Sequence, residues 1–255
     1  MGATFNTYNI ATTGLYASQA ALTTVSTNLS NVNTEGYSRQ RVTTTEQRIL
    51  ASSGTSYASG VDVESVSRLR NSFLDNTYRQ ANASAEYWEA ENTALEDAQA
   101  LLSEYESSDS STDGEYGVQA LVEAFFNSWE TLTTDPSSQS ARSTVVENAV
   151  ALVETLTEIN EQLTELQTDA AARLADGVDT LNGLAEQVAA LNLTIMQANN
   201  NGSSANDLSD QRDALLDQMS ALANISVSAL SNGMVNVTLS GVALVQGLST
   251  HELTV

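Results

Sequence analysis

At 255 residues, the chain is long enough for one large domain or two small ones. Its net charge of −23, from 32 acidic residues and 9 basic ones that are all Arg, excludes the clustered cationic surface that nucleic acid demands and sets the chain against an anionic membrane. With no Cys there is no disulfide or thiolate chemistry, and a single Pro leaves room for long uninterrupted helices.

The first predicted element is an amphipathic helix over residues 4–33. Tyr8, Leu15, Leu22 and Leu29 recur every seven positions, and Ala11, Ser18, Val25 and Val32 form a second series offset by three. The two series make the 3–4 stripe of a coiled-coil seam. The other faces are Thr, Ser, Asn, Gln and Ala, small and uncharged, which lets several neighbours pack round one helix. A single helix is marginal in water, so this segment needs a partner. Asn31-Val32-Asn33-Thr34-Glu35-Gly36 supplies the Asn and Gly that suit a left-handed helix end.

Residues 37–66 read as extended. Tyr37-Ser38-Arg39-Gln40-Arg41-Val42 runs into a Thr triplet, and Gly60-Val61-Asp62-Val63-Glu64 alternates as a half-buried strand does. Residues 51–59 between them read as a flexible loop. Helices resume near Arg68 with a stripe at Trp88, Leu95 and Leu102, joined by Ala98 and Tyr105. After a polar loop over residues 106–115, Val118, Val122, Phe125, Trp129 and Leu132 form another stripe that Asp135-Pro136 ends. From residue 140 to 199 Val145, Leu152, Ile159 and Leu166 run parallel to Ala149, Leu156, Leu163 and Ala170. The phase slips by one residue at Leu174, which locally unwinds a supercoil. Gly177 and Gly183 each cost about 1 kcal/mol relative to Ala and are the places for a break. A further helix over 205–223 turns Leu208, Leu215, Leu216 and Met219 inward. Ile225 to Val227 and Val235 to Leu239 then alternate around the turn signal Asn232-Gly233, and residues 242–255 add one or two strands.

The fold class is therefore mainly α: an elongated coiled-coil-like helical bundle with a long central helix, plus short β segments after the N-terminal helix and at the C-terminal end. Its segments are an N-terminal amphipathic assembly helix (1–36), an extended or β linker region (37–66), a helical rod-like domain (67–200), and a helix with the start of a β-rich domain (201–255).

Little in the chain supports catalysis. The one His, His251, lies in a strand-like tail and reads as an exposed strand residue, so only carboxylates and Tyr remain as general bases. Glu154, Glu158, Glu161 and Glu165 stand opposite the Leu stripe and read as a solvated face rather than an acid/base pair. The run Asp109-Ser110-Ser111-Thr112-Asp113-Gly114 begins like a calcium loop, but its twelfth place is Ala120 where a bidentate Glu is needed. Neither a cofactor nor a metal is expected. Residues 1–21 lack the basic start and apolar run of a cleaved signal peptide, and no apolar run reaches membrane-spanning length. The chain reads as a structural, self-assembling protein and not an enzyme, with residues 1–42 as the assembling part.

These residues also resemble a family. Tyr8-Asn9-Ile10-Ala11-Thr12-Thr13-Gly14-Leu15 followed by Ala20-Ala21-Leu22 looks like the opening of axial flagellar proteins. The run from Asn28 through Asn31 to Gly36 and Tyr37 resembles the motif shared by rod, hook and hook-associated proteins. Tyr37-Ser38-Arg39-Gln40 narrows the resemblance to the FlgK family of hook-associated proteins, because rod and hook proteins usually carry Gly-Phe-Lys there. Gly60-Val61-Asp62-Val63, Leu208-Ser209-Asp210-Gln211-Arg212-Asp213-Ala214-Leu215-Leu216 and Gly241-Val242-Ala243-Leu244-Val245-Gln246-Gly247 are similar to later segments of that family. The resemblance implies a structural adaptor at the junction of hook and filament, outside the cell, exported through the flagellar type III pathway without signal cleavage. The implied partners are further copies of the chain, the hook protein, and the second junction protein. In that family the N-terminal helix pairs with a helix at the far C-terminus. The chain looks like an N-terminal portion, and the unpaired helix is expected to fray in isolation. The alternatives are another axial component, of rod or hook, or a secreted coiled-coil adhesin.

Overall fold

The computed structural model describes the backbone of residues 2–50, 56–102 and 117–255. In chain order the elements are α1 (Gly2–Ser30), β1 (Gln40–Leu50), β2 (Ser56–Arg68), α2 (Ser72–Leu102), α3 (Val118–Thr134), α4 (Gln139–Asn200), α5 (Asn206–Leu222), β3 (Ile225–Ala229), β4 (Val235–Leu239), β5 (Val242–Gln246) and β6 (Ser249–Thr250). The mainly α class with a long central helix and two small β regions is as the sequence indicates. The sequential segments are regrouped in space, however. One compact unit takes Met1–Ser84 with Asp179–Leu253, and the other takes Ala85–Val178 with Thr254–Val255.

In the first unit, the stretch read as an extended or β linker is an antiparallel hairpin. β1 and β2 pair from Gln40↔Arg68 to Leu50↔Ser56, with register shifts at Thr43/Thr44 and Gln47/Arg48. Residues 56–59 of the expected loop belong to β2, and 51–55 lie outside the described residues. Arg68 ends β2, so the next helix starts at Ser72 rather than at Arg68.

The hairpin also changes the reading of α1. The helix does not stand alone: it lies on the hairpin through its small polar face. Thr13 Oγ1 accepts from Val61 N at 3.3 Å, and Asn9 Nδ2 donates to Ser59 O at 3.5 Å. Gly60 makes this approach possible. Its φ is +138°, and a Cβ there would overlap Thr13 Oγ1 and crowd Thr13 Cβ. Gly60→Ala combines backbone strain with this overlap, together about 1–3 kcal/mol. It is expected to speed amide hydrogen exchange across residues 9–28 by roughly tenfold or more; unchanged protection there would show that α1 does not depend on this contact.

The core of the first unit joins the end of α4 to α5 and a four-stranded antiparallel sheet of order β3-β4-β5-β6. Leu181, Leu184, Ala185, Val188 and Ala189 of α4 meet Leu216 and Met219 of α5 and Ile225, Val235, Val237, Leu244 and Val245 of the sheet. Positions 181, 184, 185, 188, 192 and 195 follow helical spacing, and all are buried. Gly233, with φ +87°, sits in the β3–β4 connection that Leu230 N and Met234 O close at 2.9 Å. α4 runs unbroken through Gly177 and Gly183, over 62 residues and about 90 Å. The packing of Leu181, Leu184 and Val188 outweighs the propensity cost of the two glycines.

The second unit contains the rest of α2, α3 and residues 139–178 of α4. Asn148 Nδ2 donates to Ala124 O at 3.1 Å, tying α4 to α3, and Val145 and Ser128 are buried. Phe125 makes edge contacts with Phe126 and Trp129. The stripes of this unit are less covered than their spacing suggests: Trp88, Leu95, Trp129, Leu156 and Leu163 are all exposed among the described residues.

Candidate functional site

Seven of the eight stripe residues lie on α1 and the eighth, Val32, in the turn just past its end at Ser30, three residues short of the expected helix end; all eight share one condition. Tyr8, Ala11, Leu15, Ser18, Leu22, Val25, Leu29 and Val32 are all exposed, with Tyr8, Leu15, Leu22 and Leu29 at 71%, 56%, 68% and 72%. The opposite face carries the contacts to the hairpin, and there Ala17 and Thr24 are each 9% exposed. Burying a Leu, Val or Tyr side chain contributes roughly 1.5–3 kcal/mol, and none of this is collected within the described residues. Contiguous exposed apolar surface is uncommon on soluble monomers.

The motif after the helix is a built corner. Asn28 Nδ2 donates to Gln40 O at 2.9 Å, and its Oδ1 accepts from Gln40 N at 2.8 Å and from Tyr37 Oη at 2.9 Å. One side chain thus ties the last turn of α1 to the first residue of β1. Burial, then the carboxylates of Asp207 and Asp210, hold the Tyr37 phenol above its ordinary value, so it remains a donor. Asn31 Nδ2 donates to Thr27 O and its Oδ1 accepts from Thr34 Oγ1 at 3.2 Å, closing the helix end. Gly36 supplies φ +78° beside Ala214 Cβ. Arg39 is exposed, and its carbonyl accepts from Leu69 N at 2.8 Å.

Ser38 and Gln40 carry the corner onto α5. Ser38 N donates to Asp210 Oδ2 at 3.0 Å, Gln40 Nε2 to Asp207 Oδ1 at 3.2 Å, and Asn206 Nδ2 to Val66 O at 2.8 Å. Ion pairs complete the attachment. Arg68 Nη1 lies 2.8 Å from Asp210 Oδ1 and 2.6 Å from Asp213 Oδ2, Arg70 pairs with Asp75 at 2.9 Å, and Arg79 Nε with Asp217 at 2.8 Å. The two motifs singled out in the sequence, around Tyr37 and around Asp210, are therefore two sides of one joint that holds the hairpin, and α1 with it, on α5.

Asn192, which the sequence reading passed over, and Arg212, which it named only within a motif, lock α4 and α5 to the sheet. Asn192, fully buried in α4, donates from Nδ2 to Val235 O at 2.8 Å and Gly247 O at 2.7 Å. Its Oδ1 accepts from Val235 N at 3.1 Å and Arg212 Nη1 at 3.0 Å. Arg212 also donates to Gly233 O at 2.7 Å. Burial pulls Arg212 below its ordinary pKa, Asp213 opposes this, and Arg68 and Arg79 add to it. A guanidinium stays charged under such a shift.

His251 is exposed, with its backbone N bonded to Leu244 O, and Glu154, Glu158, Glu161 and Glu165 are exposed along α4. The Asp109–Asp113 loop lies outside the described residues. Among the described residues no group of acidic or His side chains is arranged to hold a metal ion, and no helix is long and apolar enough to cross a membrane.

Residues 108–255 match the family model described as the flagellar hook-associated protein FlgK helical domain, and residues 9–37 match that of the flagella basal body rod protein. The chain belongs to the FlgK family of flagellar hook-associated proteins. Its similarity to the flagellar hook-associated protein 1 of Bacillus subtilis strain 168 is 35% identity over 244 residues, 91% of this chain and 46% of that one. To the protein of the same name from Escherichia coli K12 it is 29% over 248 residues, 96% of this chain and 44% of that one. The chain thus spans about half the length of these FlgK-family relatives. The solved structure of the flagellar hook junction protein FlgK from Burkholderia pseudomallei matches with a TM-score of 0.57 at 25% identity, covering 70% of this chain and 30% of that one.

Proposed function

We propose that the chain is a structural subunit of the bacterial flagellum at the junction between hook and filament, assembling through the outward face of α1. The observation that carries this reading is the stripe: eight residues at coiled-coil spacing, every one exposed, seven on a helix whose other face is fixed to the hairpin and Val32 in the turn after it. Further copies of the chain pack against that stripe, and the hook protein and the second junction protein lie on either side. The subunit works outside the cell, and it leaves through the flagellar type III pathway with its N-terminus intact. The role needs no catalysis and no cofactor. Another axial component, of rod or hook, shares the match over residues 9–37, but the match over 108–255 to a hook-associated helical domain favours the junction.

Deleting residues 1–36 in flagellated cells that carry no other copy tests the reading. The helical content of 85–200 is expected to persist, while incorporation into flagella and export are lost. Motile cells with intact filaments would refute the assembly role.

A further inference from the structure

Four of the nine arginines in this acidic chain line one cleft of about 370 Å³ in the first unit: Arg68, Arg70, Arg79 and Arg212. The lining also contains two carboxylates, Asp75 and Asp213, and an apolar wall of Val227, Ala229 and Val235. The lining itself holds four arginines against two carboxylates, and Asp210 and Asp217 reach Arg68 and Arg79 from beside it. Arg79 and Arg212 are 4% and 6% exposed. Arg79 Nη2 and Arg212 Nε are buried without a hydrogen-bond acceptor among the described residues. Arg68, Arg70 and Arg79 each have a carboxylate at ion-pair distance, Asp210 and Asp217 among them. Arg212 has none among the described residues, since its acceptors are Asn192 Oδ1 and Gly233 O. A buried charge without a counter-ion is strongly disfavoured, and a buried donor without an acceptor adds to the penalty.

We propose that this cleft is a binding site for a carboxylate group, with Arg212 and Arg79 as its deep donors and Arg68 and Arg70 at its mouth. A planar, singly charged acceptor suits the guanidinium fork. A phosphate, with more charge, meets stronger repulsion from Asp75 and Asp213. The apolar wall takes the methylene stem to which the carboxylate is attached. The group arrives on a small dicarboxylic acid or on an Asp or Glu side chain of a second copy of this chain, whose 32 acidic residues make such a side chain abundant. The site stands apart from the α1 stripe and does not rest on the assembly reading.

Malonate titrated into the full chain by calorimetry, at constant ionic strength against chloride, is the test. Saturable binding with one site per chain is expected, together with a raised unfolding midpoint. Arg70→Gln is expected to weaken binding about tenfold. Because Arg212→Gln removes a buried, hydrogen-bonded side chain and threatens folding, Val227→Glu is the second variant. Its tethered carboxylate should occupy the cleft and reduce malonate affinity by at least as much. Absence of saturable binding to the unaltered chain, equal effects of chloride and malonate, or equal affinity in all three proteins would overturn the proposal. Sedimentation with and without malonate separates the sources: release of self-associated chains identifies a neighbour's side chain as the occupant, and an unchanged state identifies a small carboxylate.

Discussion

Asn192→Ala should lower the stability of the first unit by about 3–5 kcal/mol, the largest effect expected of any single substitution away from the hydrophobic core. Asn192 is fully buried and satisfies four partners at once: two carbonyls, one backbone N–H and the Arg212 guanidinium. Truncation removes these bonds and leaves the groups in a space closed to solvent. The sharpest loss is at Arg212, which then keeps Gly233 O as its remaining described acceptor. Chemical denaturation followed by far-UV circular dichroism measures the change, and the thermal midpoint should fall by roughly 10 °C. Asn160→Ala, at an exposed position of the same helix, should stay within about 0.5 kcal/mol. A loss below about 1 kcal/mol for Asn192→Ala would mean that the network does not hold α4, α5 and the sheet together.

Much of the fold is legible in the sequence because its helices obey simple spacing and carry few breakers. The bounds of α3, α4 and α5 lie within about two residues of the expected ones, a scatter normal for helix ends. The docking of α1 was not legible. Thr13, Ala17 and Thr24 carry no apolar periodicity, and Val61, which Thr13 meets, lies 48 positions away in the chain. Only Gly60, a glycine inside an alternating strand, hinted at a close approach of another backbone element.

The candidate site divides in the same way. The outward stripe was readable residue by residue, since Tyr8, Leu15, Leu22 and Leu29 are regular and their partners are absent from the helix itself. The joint beneath it was readable only as motifs. That Ser38 would meet Asp210, or Arg68 meet Asp213, depends on contacts spanning 172 and 145 positions. Asn192 did leave a trace: an Asn at 192 between Val188 and Ile195 occupies an inward position of α4, and an inward Asn demands polar partners. The arginines left another, in that a chain with nine basic residues places three of them at 68, 70 and 79 and a fourth beside two aspartates.

Leu22→Asp should separate assembly from folding. Leu22 is 68% exposed in the middle of the stripe, so a carboxylate there is hydrated in the free chain and should change its stability by no more than about 0.5 kcal/mol. In an assembled seam the same carboxylate would be buried without a partner, at a cost of several kcal/mol. The −23 charge of each neighbour makes that burial still less favourable. Ala17→Asp, on the inward face at 9% exposure, should behave in the opposite way and loosen α1 from the hairpin. The claim that the outward face of α1 is the assembly surface is tested most directly by measuring, for Leu22→Asp, the melting midpoint of the purified chain and its incorporation into flagella of cells lacking the unaltered copy. An unchanged midpoint with incorporation reduced at least about a hundredfold is the expected result. Normal incorporation, or a lowered midpoint that alone explains the loss, would contradict it.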